Sequence, residues 1–283
     1  MKRWPGPPVL SVALCLIGLA LAGCSSPSST TTTASGSSTL TVAGSTAMLP
    51  LVLEASGEYQ RMHPTVKISV SGGGSAAGIA QVAARAIDIG DSDILAVAHP
   101  ELVDSRVAVV GFAVIANPSV HVKSLSRAQL REVFSGKITN WRAVGGADQK
   151  IVVVNRARSS GTRAVFAKVI MGTTPLYEGG LVEDSTGTAV SVVRSTPGAV
   201  SYVALSGING PGVTIVAVDG VAPSKATIVT GRYPIWSYEH MYTYGPPKGE
   251  AARFIAFVRG ATDLVKKNKF ITISEMHVTE NDR

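Results

Sequence analysis

Residues 66–86 read VKISVSGGGSAAGIAQVAARA, and this stretch decides the fold class. Its first part, residues 66–70, alternates apolar and polar side chains, as a half-buried strand does. A glycine-rich loop follows, and then Ile79, Val82 and Ala83 recur at the spacing of one helix face. The stretch therefore predicts a strand, a small polar loop and a helix in direct succession.

The same succession continues on both sides of this stretch. We expect further strands at 40–42, 87–90, 107–116, 151–154 and 199–203, an extended aromatic segment at 233–244, and helices at 50–59, 75–86, 162–170, 189–194 and 250–266. Alternating strands and helices favour an α/β fold with largely parallel sheets. In such a fold ligands lie beyond the carboxyl ends of the strands, where loops lead into helix N-termini.

The N-terminus has the parts of a secretory signal. Lys2 and Arg3 precede an apolar run at 9–22, and small residues lead up to Cys24. The run is short for a membrane span. Cys15 would leave with the signal, so the mature chain would keep one cysteine and could not close an internal disulfide.

The segment Leu21-Ala22-Gly23-Cys24 resembles the lipobox of bacterial lipoproteins. The resemblance implies a signal peptide at 1–23 that is cleaved before Cys24, followed by acylation of that cysteine and attachment to the membrane through the lipid. The alternative is a plain signal followed by a chance cysteine. Residues 24–38 are rich in Ser and Thr without a large apolar side chain, which favours a flexible tether. We expect the folded part to begin at Thr39.

Charge restricts the partners only loosely. Loss of the two basic residues of the signal would lower the formal charge from +7 to +5. A moderately basic exported protein suits an anionic ligand or an anionic envelope surface, and charge alone does not choose between them. The chain has no basic cluster interleaved with aromatic residues, so nucleic acid is not an expected partner.

Four small polar loops stand between predicted strands and helices. They read GSTA at 44–47, SGGGSAAG at 71–78, DIGDSD at 88–93 and RARSSGTR at 156–163. Unpaired amides and the positive dipole end at a helix N-terminus attract oxyanions, and hydroxyl groups add donors. Each loop alone is ordinarily a helix cap or a turn. Together, and with Arg156 beside one of them, they favour an anion-binding site.

These loops, together with GKITNW at 136–141, resemble the phosphate-binding proteins of ABC-type phosphate importers. The resemblance implies an α/β, two-lobe periplasmic-binding-protein-like fold of type II, in which each lobe is a mixed sheet flanked by helices and the ligand lies in the cleft. Lobe I would comprise 39–112 and 235–283, and lobe II would comprise 113–234. Residues 234–238 would mark the return crossover.

The resemblance also implies a function. It implies high-affinity binding of inorganic phosphate on the extracytoplasmic face of the membrane and delivery to a membrane-embedded ABC phosphate permease. We expect a monomer that is not an enzyme and needs no cofactor or metal. The acids at 88–93 fit a calcium site poorly, because the glycine and distal glutamate of a calcium-binding loop are missing.

Carried over by motif, the phosphate ligands are drawn from all four loops. Ser45 is expected as a neighbour rather than a ligand. The expected ligands are Thr46, the Ala47 amide, Ser75, Asp93, Arg156, Ser160, Gly161 and Thr162.

Two of these residues carry the chemistry. Arg156 offers a planar fork of donors suited to phosphate oxygens. Asp93 would repel an anion unless a proton lies between them, and phosphate near pH 7 still carries one. Asp93 can therefore accept a hydrogen bond from phosphate, whereas sulfate has no proton to donate. The alternative is that Asp93 only caps the next turn.

One position departs from the family pattern. Many family members have an acidic residue two positions after the binding arginine, where it would orient that arginine. Here the position holds Arg158, so Arg156 would lose this partner and the mouth of the site would become more positive. The alternative is that Arg158 points to solvent. We expect Trp141 to be a core anchor.

Three rival functions stay open at this point. An exported hydrolase is suggested by GGSAA at 73–77, which approaches a nucleophile elbow but lacks its closing glycine, and no histidine lies in the anion loops. A lipoprotein used for adhesion or sensing is the second. A binder of another oxyanion, such as sulfate or molybdate, is the third, and Asp93 argues against it.

Overall fold

The computed structural model describes residues 38–280, so the predictions about the signal peptide, Cys24 and the tether lie outside the described residues. The strands are β1 Ser38–Gly44, β2 Val66–Ser71, β3 Ile89–Ser92, β4 Leu102–Ala116, β5 Ser124–Leu125, β6 Val152–Arg156, β7 Leu181–Glu183, β8 Ala199–Ala204, β9 Thr214–Val218 and β10 Trp236–Tyr244. The α-helices are α1 Leu49–Met62, α2 Ser75–Ala83, α3 Arg127–Phe134, α4 Gly161–Phe166, α5 Thr186–Ser195, α6 Lys225–Val229, α7 Gly249–Gly260 and α8 Thr262–Lys267. Single turns of 3₁₀-helix lie at Pro118–Val120, Trp141–Val144, Leu205–Gly207 and Ile273–Glu275, and a π-helix spans Ala167–Met171.

The strands form one curled mixed sheet in the order β2-β1-β3-β10-β4-β8-β6-β7, to which β9 and β5 are added beside β4. The pairs on either side, β1 with β2 and β3 and β6 with β7 and β8, are parallel, as the strand–helix alternation predicts. The centre is antiparallel, because β10 pairs with both β3 and β4, and β4 pairs with β8 and β9. The prediction of α/β architecture is confirmed, and the expectation of largely parallel sheets holds for these outer pairs and for β5 with β9, but not for the centre.

The strand β4 belongs to two parts of this sheet. Up to Gly111 it pairs with β10, and from Phe112 onward it pairs with β8. The chain returns beside this point, since the amide of Phe112 donates to the carbonyl of Ile235 at 2.9 Å and the Tyr233 hydroxyl donates to the Phe112 carbonyl at 2.8 Å. All described residues belong to one compact unit, so the boundaries of the two lobes stay a prediction.

The structure corrects two helix predictions. The helix expected at 250–266 is two helices, because the backbone leaves helical geometry at Ala261 (ψ 62°), directly after Gly260, which is a weak helix former. The helix expected at 162–170 is α-helical only as far as Phe166 and continues as the π-helix. Arg131 donates from Nε to the Ile170 carbonyl of that π-helix at 2.7 Å, which satisfies a terminal acceptor.

Aromatic packing fixes the base of the loop after β6. The rings of Phe166 and Tyr202 stack at 4.1 Å, and Phe134 meets Phe166 edge-on at 4.7 Å. Such pairs each add about 0.5–1.5 kcal/mol beyond the area they bury. The Tyr202 hydroxyl donates to the side chain of Asn155 at 3.1 Å, so the aromatic core is tied directly to β6.

Trp141 is the core anchor that the sequence predicts. Its side chain is fully buried, and Nε1 donates to the Gly198 carbonyl at 2.9 Å. Between residues 38 and 280, no helix has the length and apolar character needed to cross a membrane.

Candidate functional site

Arg156 ends β6 and holds the centre of the site. Its side chain is completely buried (0% exposed). Nη2 donates to Thr46 Oγ1 at 3.0 Å, so this guanidinium joins the loop after β6 to the loop after β1. The backbone carbonyls of Glu183 and Asp184 accept from Nε and Nη2, each at 3.3 Å. The guanidinium is therefore fixed in direction before any ligand is considered.

Asp93, directly after β3, faces the same centre and is 2% exposed. Its Oδ1 accepts a hydrogen bond from Ser45 Oγ, and its Oδ2 accepts one from Thr162 Oγ1 at 3.1 Å. Burial raises the pKa of Asp93, while the two hydroxyl donors and the charge of Arg156 lower it. The carboxylate thus bonds to the loops after β1 and β6 rather than to the turn that follows it.

The start of α1 is organised by Ser45. The amides of Ala47 and Met48 donate to Ser45 Oγ at 3.1 and 3.3 Å, while that hydroxyl donates to Asp93. The Ala47 amide, which was expected to face the ligand, therefore makes its hydrogen bond inside its own loop here. Ser45, which was expected only as a neighbour, is the direct partner of Asp93.

The loops after β2 and β6 are in contact. The Ala76 amide donates to the Ser159 carbonyl at 3.0 Å. Gly74 has φ +92°, and a Cβ there would lie 2.6 Å from that same carbonyl. A Cβ on Gly161 would lie 2.9 Å from Ser75 Cβ. Only glycine fits at these two positions without moving the facing loop.

Ser75 and Ser160 are both placed at the site by local hydrogen bonds. Ser75 Oγ accepts from the Asp93 amide at 2.9 Å. Ser160 caps α4, because its Oγ accepts from the Arg163 amide at 3.2 Å, as a serine at this position commonly does. All eight expected ligand residues lie on these four loops, and the hydrogen bonds and close contacts described here connect the loops to one another.

Arg158 lies away from this centre. Its side chain is 84% exposed, and among residues 38–280 its one ion pair is with Glu178, at 3.4 Å, so the alternative that it points to solvent is correct. Glu178 binds Arg163 more closely, at 2.7 Å, and Arg163 donates to the Arg156 carbonyl at 2.8 Å. The orienting role of the missing acidic residue is taken by the backbone carbonyls that hold the Arg156 guanidinium.

Thr186, the first residue of α5, is a site residue that sequence reasoning missed. It is 2% exposed, its amide donates to Thr46 Oγ1 at 3.3 Å, and Arg156 Nη1 donates to its hydroxyl at 3.5 Å. The signal was present in the sequence, because residues 184–188 read DSTGT directly before a helix. This is a fifth small polar loop of the kind that identified the others.

Two further buried acids, Asp91 and Glu239, were also missed as part of the site. They are 2% and 0% exposed. Burial raises the pKa of Asp91 well above its ordinary value, and the charge of Asp93 adds to the shift. Burial also raises the pKa of Glu239 well above its ordinary value, and the charges of Asp93 and Asp91 add to that shift.

The arrangement suits a small tetrahedral oxyanion that carries a proton. One fixed guanidinium and several hydroxyl groups come together from five loops, and such groups are donors that oxyanions need. One carboxylate faces them from the other side. A fully deprotonated anion would meet that carboxylate without a proton between them, which is unfavourable.

Comparison with known proteins gives a consistent result. Residues 29–261 match the model of the PBP superfamily domain. The phosphate-binding protein PstS of Bacillus subtilis (strain 168) is 41% identical over 256 residues, which cover 88% of this chain and 84% of that protein.

Solved structures of phosphate transport proteins are also similar to this chain. A phosphate ABC transporter substrate-binding protein with bound phosphate from Clostridium perfringens has a TM-score of 0.78 and 27% identity, over 83% of this chain and 99% of that one. An ABC-type phosphate transport receptor from Vibrio cholerae has a TM-score of 0.68 and 28% identity, over 82% of this chain and 99% of that one.

Proposed function

The chain belongs to the phosphate-binding proteins of the PBP superfamily, and from this premise we propose that it captures inorganic phosphate outside the cytoplasmic membrane and delivers it to an ABC importer. Its role is that of a substrate-binding protein rather than an enzyme. The observation that carries the proposal is the pairing of the buried Arg156 guanidinium with the buried Asp93 carboxylate across one site.

Arg156 supplies the charge that holds the anion. A buried guanidinium is only weakly hydrated and presents several N–H groups in a rigid fork, so its bonds to phosphate oxygens are strong and directional. The Thr46 hydroxyl and the start of α4 at Ser160, Gly161 and Thr162 complete the donor set, together with Ser75 and the Ala47 amide.

Asp93 distinguishes phosphate from sulfate by the proton that phosphate carries. Near pH 7 phosphate retains at least one proton, and an ionised carboxylate can only accept a hydrogen bond. Facing phosphate, Asp93 receives a hydrogen bond from the P–OH group. Facing sulfate, it would receive no hydrogen bond from the ligand and would repel it, which is the kind of penalty that separates ligands of equal size.

Calorimetric titration of the full-length protein, purified in detergent, with phosphate, sulfate and molybdate tests this function. We expect tight 1:1 binding of phosphate and much weaker binding of the other two. Binding of sulfate or molybdate as tight as that of phosphate would contradict the proposal. Hydrolysis of a chromogenic phosphate monoester would instead favour the rival function as an exported hydrolase.

The two-lobe organisation is part of the proposal. The change of partner strand in β4 between Gly111 and Phe112, beside the return of the chain at Ile235, supports a hinge between a lobe of residues 39–112 and 235–283 and a lobe of residues 113–234. Closure of two lobes around a ligand is a common device. Small-angle scattering should show a smaller radius of gyration with phosphate than without it, and an unchanged radius at saturation would contradict the hinge.

We also propose that the protein is a monomer attached to the outer face of the membrane through lipid on Cys24. The support is the LAGC segment after a signal-like N-terminus. Replacing Cys24 with Ser should release the protein from the membrane fraction or leave its precursor uncut. Normal processing together with retention in the membrane would contradict the anchor.

A further inference from the structure

Glu239 is a buried acid beside the site that the binding set does not use. Its side chain has no exposed surface, and within residues 38–280 neither carboxyl oxygen makes a hydrogen bond of normal length and angle. An ionised carboxylate in such surroundings is very unfavourable, because burial removes its hydration and no donor replaces it. The carboxyl group must therefore gain a proton, a cation or a hydrogen bond.

Strand pairing places Glu239 next to the loop that carries Asp93. The strands β10 and β3 are antiparallel, with Met241 opposite Asp91. Ser237, two residues before Glu239, donates from Oγ to the Asp93 carbonyl at 2.7 Å. Glu239 lies between these two contacts on the same strand, at a bulge in the pairing of β10 with β4. Its carboxyl group is therefore a neighbour of the acids on β3 and directly after it.

A metal ion does not account for these acids. Among residues 38–280, no group of three or more His, Cys, Asp or Glu side chains is arranged to hold one. Within residues 38–280, Oδ1 of Asp91 also lacks a hydrogen-bond partner. Asp93 differs from both, since it accepts hydrogen bonds from Ser45 and Thr162.

The other titratable groups around Glu239 are engaged elsewhere. On β4, Asp104 bonds to His240 at 2.8 Å, and the guanidinium of Arg106 lies 4.3 Å from the centre of the Tyr238 ring. The helix α2, which also packs against β10, carries no titratable side chain. The charges that act on Glu239 are those of Asp93 and Asp91, and both are negative.

We propose that Glu239 is a neutral carboxylic acid that donates a hydrogen bond to Asp93 and thereby keeps Asp93 the unprotonated acceptor that recognises phosphate. Glu239 is a positioning residue in this arrangement, since it acts on the ligand only through Asp93. The two groups are close in the fold, because β10 pairs with β3 and Ser237, two residues before Glu239, already bonds to the Asp93 carbonyl.

The chemistry of the two acids supports this division of roles. When like-charged acids share a buried space, one takes the proton and the other remains ionised. Asp93 is the one with donors from Ser45 and Thr162 and with the charge of Arg156 nearby, so it is the acid better suited to stay ionised. A hydrogen bond from Glu239 lowers the pKa of Asp93 further, and Asp93 in turn favours the protonated form of Glu239.

The inference rests on the proposed binding of phosphate, and two variants test it. Glu239→Gln keeps the shape and a donor without a charge, whereas Glu239→Met keeps the approximate volume without a donor. The exposed Glu132→Gln on α3 is the matched control. Phosphate and sulfate titrations are run on all four proteins at one pH and one salt concentration, and thermal melts establish that each is folded.

We expect Glu239→Gln to keep the phosphate-to-sulfate affinity ratio of the wild type within about tenfold, because the exchange conserves volume. Glu132→Gln should keep the ratio as well, because that side chain is exposed. Glu239→Met should lower that ratio by about 10- to 100-fold relative to Glu239→Gln, because the lost hydrogen bond ends on a charged group and a protonated Asp93 admits sulfate. A separation of less than tenfold between the Gln and Met variants overturns the proposal.

Infrared spectroscopy gives a second readout that does not depend on ligand. The wild-type spectrum minus the Glu239→Gln spectrum at neutral pH should contain the C=O stretching band of a protonated carboxylic acid. A carboxylate band in its place overturns the proposal. If the wild type does not bind phosphate, the proposed function fails, and this difference spectrum still decides whether Glu239 carries a proton.

Discussion

The loop after β6 and the loops after β1, β2 and β3 meet at one site, but they contribute opposite charges. The loop after β6 brings the buried cation Arg156, whose backbone carbonyl accepts a hydrogen bond from Arg163. The loop after β3 brings the carboxylate of Asp93, and two further buried acids lie nearby, Asp91 on β3 and Glu239 on β10. In the proposed function, attraction and discrimination therefore have separate sources: the cationic side would hold any small oxyanion, and the acidic side would accept only one that carries a proton.

The largest effect is expected when the acidic side of the site is neutralised by Asp93→Asn. The new N–H can donate to sulfate, so discrimination against sulfate, which a buried unpaired group can raise to ~10⁴ or more, should largely disappear. Paired calorimetric titrations with phosphate and sulfate measure the ratio. The exposed Asp88→Asn, on the same approach to β3, should keep it, and an unchanged ratio in Asp93→Asn would show that Asp93 does not read the proton.

Removing the Arg156 side chain should weaken the binding of phosphate and of sulfate together. Arg156→Ala deletes a buried charge that contacts Thr46 and Thr186, and truncation of such a group costs about 2–5 kcal/mol of binding free energy. The phosphate-to-sulfate ratio should change far less than either affinity. Titration of both anions tests this, and selective loss of phosphate alone would contradict the separation of roles.

Lowering the pH should reduce the discrimination between phosphate and sulfate in the wild-type protein. Because the pKa of Asp93 is raised, Asp93 takes up its proton at a higher pH than an ordinary aspartate does. Below that pKa it becomes a donor, so the phosphate-to-sulfate ratio should fall by about tenfold per pH unit as the pH is lowered. In Asp93→Asn the ratio should not vary in this way. Titrations across the acidic range measure both slopes, and parallel slopes would contradict the assignment.

The smallest effect is expected at the edge of the cationic side. Arg158→Asp reverses a charge that is 84% exposed, and exposed charges contribute about 0–1 kcal/mol. The affinity for phosphate should change slightly, and mainly at low salt, where screening is weakest. Phosphate titrations at two salt concentrations measure this, and a loss as large as that of Arg156→Ala would show that the two arginines have been assigned the wrong roles.

The sequence made the four loops easier to predict than the buried acid Glu239. Each strand, loop and helix of the pattern is local, so residues 66–86 and 156–163 carried their own signals, and Thr186 had the same signal although it was overlooked. Glu239 had none. It lies on a strand distant in sequence, and only the pairing of β10 with β3 brings it to Asp93.

Two other differences have local physical causes that the pattern did not show. The last helical segment kept its apolar period through Ala261, so the period alone could not reveal that the backbone breaks there. At the site, the absence of an acidic residue two positions after Arg156 suggested that Arg156 loses its orienting partner. The backbone carbonyls of Glu183 and Asp184 orient it instead. Carbonyls are present at every residue, so no sequence motif marks which of them will serve.

The hydrogen bond from the Ala76 amide to the Ser159 carbonyl has a consequence for the rate at which the ion leaves. It joins loops on the two sides of the site, and Gly74 and Gly161 let those loops touch without a side chain between them. If phosphate binds between these loops as proposed, this contact has to break before the ion can leave. The residence time of the ion should therefore follow how often the loops separate, and a transporter that pulls them apart would set the moment of release.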